Sequence, residues 1–235
     1  MNNNPIGLFD SGVGGTSIWK EIHQLLPYEN TIYLADSLNA PYGYKSKEEI
    51  ISLSVKNTEL LLKKGCKVIV VACNTATTNA ISVLREKFRV PFIGIDPAIK
   101  PAALQSRSKS IGILATKGTL NSELFSLAAE EFTKDIMITE VIGEGLVSLI
   151  EKGSLLSSEI SSLLEKFLKP MLANNMDHLV LGCSHYPYLI PQLTKLLPNN
   201  IKIIDSGEAV AKQTKSIILK NKLQKKSNNQ PKLQF

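Results

Sequence analysis

Two stretches of the sequence end an apolar run in a cysteine followed by small or polar residues: Val68-Ile69-Val70-Val71-Ala72-Cys73-Asn74-Thr75 and His178-Leu179-Val180-Leu181-Gly182-Cys183-Ser184-His185. A thiolate is a competent base, and its formation is governed by the charges and donors around the sulfur. If the two thiols face each other across one small substrate, one removes a proton from a carbon while the other delivers one from the opposite side. That is the chemistry of stereocentre inversion. Asn74, Thr75, Ser184 and His185 directly follow the thiols and offer amide, hydroxyl and backbone donors suited to an amino acid's carboxylate. A helix starting at either cysteine would favour its thiolate through the local dipole, and His185 would add to this at Cys183. The competing reading of each is a buried structural cysteine, the commonest fate of a free thiol at a strand end. Cys66, between Gly65 and an apolar run, is assigned to it.

Other segments supply partners. Gly7-Leu8-Phe9-Asp10-Ser11-Gly12-Val13-Gly14-Gly15-Thr16-Ser17 reads as a strand, a glycine-rich turn and a helix start, where free N–H groups bind anions. It lacks the Lys-Ser/Thr ending of a P-loop and has serine where a dinucleotide fingerprint needs its third glycine. A carboxylate-binding turn fits better, with Asp10 free to orient an ammonium or a base. Pro41-Tyr42-Gly43 has the composition of a surface turn. Its place after a strand end makes Tyr42 a candidate cap for a pocket and the Gly43 backbone a candidate carboxylate donor. Cys73, Cys183 and His185 lack any short zinc-binding spacing, so no metal is expected.

The elements that must position these groups are legible as an alternation. Short β-branched runs at 6–10, 31–35, 68–72, 91–95, 111–115, 136–141, 178–182 and 201–204 predict strands. Amphipathic stretches at 16–26, 47–63, 77–88, 122–132 and 157–172 predict the helices between them. Such alternation gives an α/β fold of parallel sheets with helices on both faces. Ile6-Gly7-Leu8-Phe9 is echoed by Ile111-Gly112-Ile113-Leu114, and the cysteine strands repeat at a similar spacing. Two open parallel-sheet, flavodoxin-like halves facing each other are therefore expected, with ligand-binding residues at strand carboxyl ends. Asp10, Cys73, Thr116 and Cys183 occupy such ends. Asp96-Pro97 is the expected crossing point, and Asp205-Ser206-Gly207 the return. The division is 1–96 plus 207–235 for one domain and 97–206 for the other, with the tail packed on the first.

Bulk properties narrow the function classes. At 235 residues and 43% hydrophobic content the chain is long enough for a sizeable core. No stretch approaches the roughly 20 apolar residues that span a bilayer, and the amino terminus has no signal-peptide pattern, so a cytoplasmic location without membrane partners is expected. Three cysteines in no dense pattern indicate reduced thiols. The net charge of +6 owes much to Lys212, Lys215, Lys220, Lys222, Lys225 and Lys226. With no interleaved aromatics these read as a solvated helix face, and no nucleic-acid partner is expected.

Phe9-Asp10-Ser11-Gly12-Val13-Gly14-Gly15, Tyr33-Leu34-Ala35-Asp36 with Pro41-Tyr42-Gly43, Ala72-Cys73-Asn74-Thr75-Ala76 and Leu181-Gly182-Cys183-Ser184-His185-Tyr186-Pro187 occur in this order. Together they resemble the glutamate racemases of bacterial cell-wall synthesis, from about Ile6 to about Gly207. The resemblance implies two pseudo-symmetric domains, no cofactor, glutamate as substrate and a homodimer. It also implies that Cys73 faces the α-hydrogen of D-glutamate and Cys183 that of L-glutamate, with Asp10, His185 and Glu151 assisting. Asp10, Ser11, Tyr42, Gly43, Asn74, Thr75, Ser184 and His185 would bind substrate, with Thr116 and Thr119 as further candidates. Racemisation of aspartate or another amino acid is the near alternative. A carboxylate-binding homologue without activity and a pyridoxal phosphate racemase are the distant ones, although no lysine stands out for a Schiff base. Three features depart from the family pattern. Ser184 replaces the usual threonine, Glu140-Val141-Ile142-Gly143-Glu144-Gly145 stands where a Cys-Pro pair is common, and the chain stops at Phe235, about where a final strand and helix usually begin. If those last elements are missing, incomplete helix packing on the first domain is expected.

Overall fold

The computed structural model describes residues 3–132, 135–225 and 229–235, so Met1, Asn2 and Lys226 lie outside the described residues. In chain order the first elements are β1 (Ile6–Asp10), α1 (Thr16–Leu25), β2 (Thr31–Ala35), α2 (Lys47–Lys63), β3 (Val68–Val71), α3 (Asn74–Lys87) and β4 (Phe92–Gly94). Next come α4 (Ile99–Gln105), β5 (Ser110–Ala115), α5 (Lys117–Leu120), α6 (Glu123–Phe132), β6 (Met137–Ile142), α7 (Leu146–Glu151) and α8 (Ser158–Ala173). The chain closes with β7 (His178–Gly182), α9 (Ile190–Leu196), β8 (Lys202–Ile204), α10 (Gly207–Lys220) and β9 (Leu233–Gln234). Two parallel sheets result, ordered β4-β3-β1-β2-β9 and β6-β5-β7-β8, which is the expected α/β class.

Strands buried on both faces explain the continuous apolar runs. In the first sheet Leu8, Val68 and Val70 meet Ile18 and Ile22 of α1 and Val210 and Ile218 of α10. Their neighbours Phe9, Ile69 and Val71 point the other way, onto Ile50 and Leu61 of α2 and Ile81 and Leu84 of α3. In the second sheet Leu179 and Leu181 pack on α7, α8 and α9, whereas Ile111, Ile113 and Val180 pack toward α4 and α6. Among the described residues no helix is long and apolar enough to cross a membrane. Lys212, Lys215 and Lys220 lie on the exposed side of α10.

The differences from expectation have local causes. Helix α3 starts at Asn74, not near 77, because the Cys73 side chain accepts the Ala76 N–H and caps the helix despite its run of threonines. Helices α4, α5, α7 and α9 have four to seven residues, too few for an amphipathic period to register. The expected shortfall at the carboxyl end is corrected in part. Leu233 and Gln234 form β9, pairing in parallel with Thr31 and Ile32, and the Phe235 ring meets Trp19 edge-on at 4.9 Å.

The tail is also fastened through a buried ion pair. Glu29 and Lys67 side chains are only 6% and 3% exposed with Nζ and Oε2 2.6 Å apart, while Glu29 Oε1 accepts the Lys225 N–H at 2.7 Å. One carboxylate thus ties the turn before β2, the start of β3 and the tail. Removing one member of a buried pair costs roughly 3–5 kcal/mol. Urea denaturation of Glu29→Ala should show a loss of that order, and a second substitution, Lys67→Met, should recover part of it; a loss below about 1 kcal/mol is incompatible with this arrangement.

Candidate active site

The carboxyl ends of β1 and β3 in one sheet meet those of β5 and β7 in the other. Cys73 follows β3 and Cys183 follows β7, with side chains buried to 4% and 6% exposure. Both line one small cavity, together with Ser11, Tyr42, Asn74, Thr75 and the Ser184-His185 pair. Gly43 and Thr116 complete that wall, and Val147 of α7, which sequence reasoning missed, closes it with an apolar surface. Asp10, Thr119 and Glu151 do not line the cavity; they stand behind residues that do.

Asp10 is fully buried, and its position settles what the glycine turn binds. Its Oδ2 accepts the N–H of Gly15 at 2.9 Å and of Gly12 at 3.3 Å, and Oδ1 accepts the Ser184 hydroxyl at 3.2 Å. The Val13 N–H donates to Glu151 Oε1 at 2.8 Å. The turn does bind carboxylates, but they are the protein's own, so the reading of Asp10 as a free group is corrected. The glycines follow from this crowding. A Cβ at Gly12 would lie 1.9 Å from Glu151 Oε1, and one at Gly14 would lie 2.2 Å from His185 Nδ1.

Glu151 reaches this place because Gly145 adopts a left-handed φ of +82° before α7, which turns the chain into the helix that carries the carboxylate. Its Oε1 lies 2.5 Å from His185 Nε2, while His185 Nδ1 lies 3.8 Å from Cys183 Sγ. Burial opposes a charge on His185, yet its hydrogen bonds to Cys183 and Glu151 and the nearby Asp10 charge hold its pKa well above the ordinary value. Glu151 is held below the ordinary carboxylate range by the His185 hydrogen bond, against partial burial and with help from the Val13 N–H. Burial pushes the Cys73 thiol well up, Asp10 pushes it further, and the Ala76 N–H offsets only part of this. The expectation that the helix start would favour the Cys73 thiolate is therefore reversed. Burial likewise raises Asp10, against its donors and His185.

The opposite wall corrects a second expectation. The Pro41-Tyr42-Gly43 segment is not a surface turn: Tyr42 is 1% exposed. Its hydroxyl donates to Asp36 Oδ2 at 2.5 Å and accepts from Asn57 Nδ2 at 3.0 Å. Asp36 ends a strand as Asp10 does, and that parallel was the available signal for it. Gly43 sits against Thr116, where a Cβ would meet the threonine Cβ at 3.0 Å. Thr75 Oγ1 lies 2.8 Å from Thr116 Oγ1 and 3.3 Å from Thr119 Oγ1, with 3.0 Å between the latter two, so three hydroxyls form a triangle across the halves. Near Cys183, Ser17 Oγ donates to the Ser184 carbonyl at 2.9 Å and Thr16 Oγ1 lies 2.5 Å from the Tyr188 hydroxyl. Nothing in the sequence pattern marked those two contacts. Among the described residues no group of three or more His, Cys, Asp or Glu is placed to hold a metal ion.

The fold of two facing parallel sheets is shared with solved structures of similar proteins. Residues 6–214 match the Asp/Glu/hydantoin racemase model, and the chain belongs to that family. A glutamate racemase of Ectopseudomonas mendocina is 46% identical over 93% of this chain and 84% of its own length. The crystal structure of glutamate racemase isoform RacE1 from Bacillus anthracis superimposes with a TM-score of 0.89 at 31% identity, covering 99% of this chain and 88% of that one. Escherichia coli glutamate racemase in complex with L-glutamate and the activator UDP-MurNAc-ala gives 0.85 at 36% identity over 92% and 83%.

Two outcomes test the geometry. Gly14→Ala drives a methyl into the His185 ring and should lower activity at least about 100-fold, because displacements near 1 Å carry penalties of that size; wild-type turnover in this variant would contradict the close approach. The His185–Glu151 pair also has a pH signature. The raised His185 contributes stability fully present below its unfolded value near 6.5 and lost as pH rises through its higher folded value. The lowered Glu151 contributes stability present above its unfolded value near 4.5 and lost as pH falls through its lower folded value. The difference in melting temperature between wild type and Glu151→Gln should therefore be widest between these limits and narrow on either side. A difference independent of pH would refute the charged pair.

Proposed function

We propose that this protein interconverts L- and D-glutamate without a cofactor, by a two-base mechanism in which Cys183 faces the α-hydrogen of L-glutamate and Cys73 that of D-glutamate. The single observation that supports it best is that two thiols from different sheets line one small cavity among hydroxyl and amide donors. In the L-to-D direction the Cys183 thiolate takes the α-proton, leaving the electron pair on Cα, and the Cys73 thiol delivers its proton to the opposite face. The cycle ends with Cys183 as thiol and Cys73 as thiolate; the reverse reaction, or proton exchange through the assisting groups, resets it.

The assisting groups suit these roles. A charged His185 stands 3.8 Å from the sulfur that must become negative. Burial keeps Cys73 protonated, as a proton donor requires, and Asp10, itself raised, is a matched acceptor for that proton when Cys73 must act as base. Donors from Ser11, Gly43, Asn74, Thr75, Thr116 and Ser184 would hold the substrate's carboxylates and stabilise developing charge on the carbanion, with Tyr42 capping the cavity and Thr119 bracing the threonines. Exclusion of water from so small a space strengthens these interactions.

This reading includes supply of D-glutamate to the peptidoglycan of a bacterial cell wall, a cytoplasmic location, a homodimer, no nucleic-acid partner, and domains of residues 1–96 plus 207–235 and 97–206. Incubation with either enantiomer in deuterium oxide should place deuterium at Cα and generate the other enantiomer, in colourless protein. Faster turnover of aspartate would reassign the substrate, and binding without exchange would leave only a carboxylate-binding protein. Cys73→Ser and Cys183→Ser should each lose at least about 10²- to 10⁴-fold in kcat, the usual share of an acid–base group, and full activity in either would end the two-thiol mechanism.

A further inference from the structure

The segment from Cys183 to Tyr188 carries a base, a substrate ligand and the assisting histidine, yet its own backbone bonds are few. The Tyr186 N–H donates to the Cys183 carbonyl and the Tyr188 N–H to the His185 carbonyl, both as short turns. Its own half holds it through the Tyr186 hydroxyl, which donates to the Gly143 carbonyl, and through Glu151 on His185; the other half adds two further contacts, at Tyr188 and at the Ser184 carbonyl. Thr16 has a single hydroxyl hydrogen, and its 2.6 Å contact to the Val13 carbonyl uses it. The 2.5 Å contact between Thr16 Oγ1 and the Tyr188 hydroxyl therefore has tyrosine as donor. Val13 also gives its N–H to Glu151, which holds His185.

A closed ring follows: Tyr188 to Thr16, Thr16 to the Val13 carbonyl, the Val13 N–H to Glu151, Glu151 to His185, and back along the chain to Tyr188. The Ser17 hydroxyl adds a rung by donating to the carbonyl of Ser184, the residue between Cys183 and His185. Val13 is 39% exposed, and the ring employs its backbone N–H and carbonyl.

Resting on the racemase reading above, we infer that Tyr188 and Ser17 are positioning residues for the Cys183 base, fixing it from the first half so that the two thiols keep their alignment on the substrate. Neither hydroxyl lines the cavity, so neither touches substrate. Their loss loosens one base and leaves the other, held by its own helix cap, in place.

This asymmetry has a distinctive readout. Enantiomers have equal free energies in water, so any loss in kcat/KM must be the same in both directions, and rates alone do not locate the damage. Isotope effects do. Tyr188→Phe should lower kcat about 10-fold with KM changed less than about 3-fold. The primary isotope effect with L-glutamate deuterated at Cα, whose hydrogen Cys183 removes, should rise above the wild-type value, while that with deuterated D-glutamate should fall. Ser17→Ala should shift both in the same sense, and Ser17→Thr, which retains the hydroxyl, should restore them. If Tyr188→Phe fails to fold, the Ser17 pair decides. Wild-type isotope effects in folded variants, or equal shifts with both enantiomers, would overturn the inference while leaving the function standing. Absence of Cα exchange in the unsubstituted protein would overturn both.

Discussion

A carboxylate with no access to solvent must have its lone pairs occupied, and the Asp10 side chain meets that demand with donors from both halves of the molecule. Gly12 and Gly15 come from its own loop, and Ser184 comes from the other sheet. Neither half alone satisfies it, so desolvation of this one group requires the sheets to stand as they do. The cavity between the thiols is the space left once that requirement is met. The glycines, the seating of His185 and the depth of Cys73 all follow from the same close approach.

The electrostatics of the site reflect this burial. A dry setting near a carboxylate holds Cys73 as a thiol, while His185, with Glu151 behind it, carries a positive charge beside Cys183. Two residues of one type, related by an internal repeat, thus occupy unlike surroundings. Under the proposed two-base mechanism, such inequality favours a neutral thiol at Cys73 between turnovers.

Much of this was legible in the sequence, where one physical rule acts alone. The strands at 6–10, 31–35 and 178–182 and the helix at 47–63 coincide with the structure because burial on both faces, or on one helical stripe, dictates their periodicity. Cys73, Thr116 and Cys183 reach one cavity wall because strand ends gather at one edge of a parallel sheet, whereas Asp10, also at a strand end, stands behind that wall. What escaped depends on contacts between distant segments. Tyr42 reads as part of a turn until Asp36 and Asn57 are seen to hold it inside, and Asn74 looks like a poor helix former until the Cys73 side chain caps it. Thr16 and Tyr188 carry no pattern at all, since one hydrogen bond between two halves leaves no period.

The triangle of Thr75, Thr116 and Thr119 has a consequence of its own. Three hydroxyls own three hydrogens, and a closed ring uses all of them in either of two rotational senses. The ring therefore has two proton orderings that share one set of heavy-atom positions. An oxygen arriving at the cavity wall opens the ring by taking one hydrogen, and the remaining two still link all three threonines. This seam adapts its polarity to a bound group by turning O–H bonds alone, with both halves of the protein standing still.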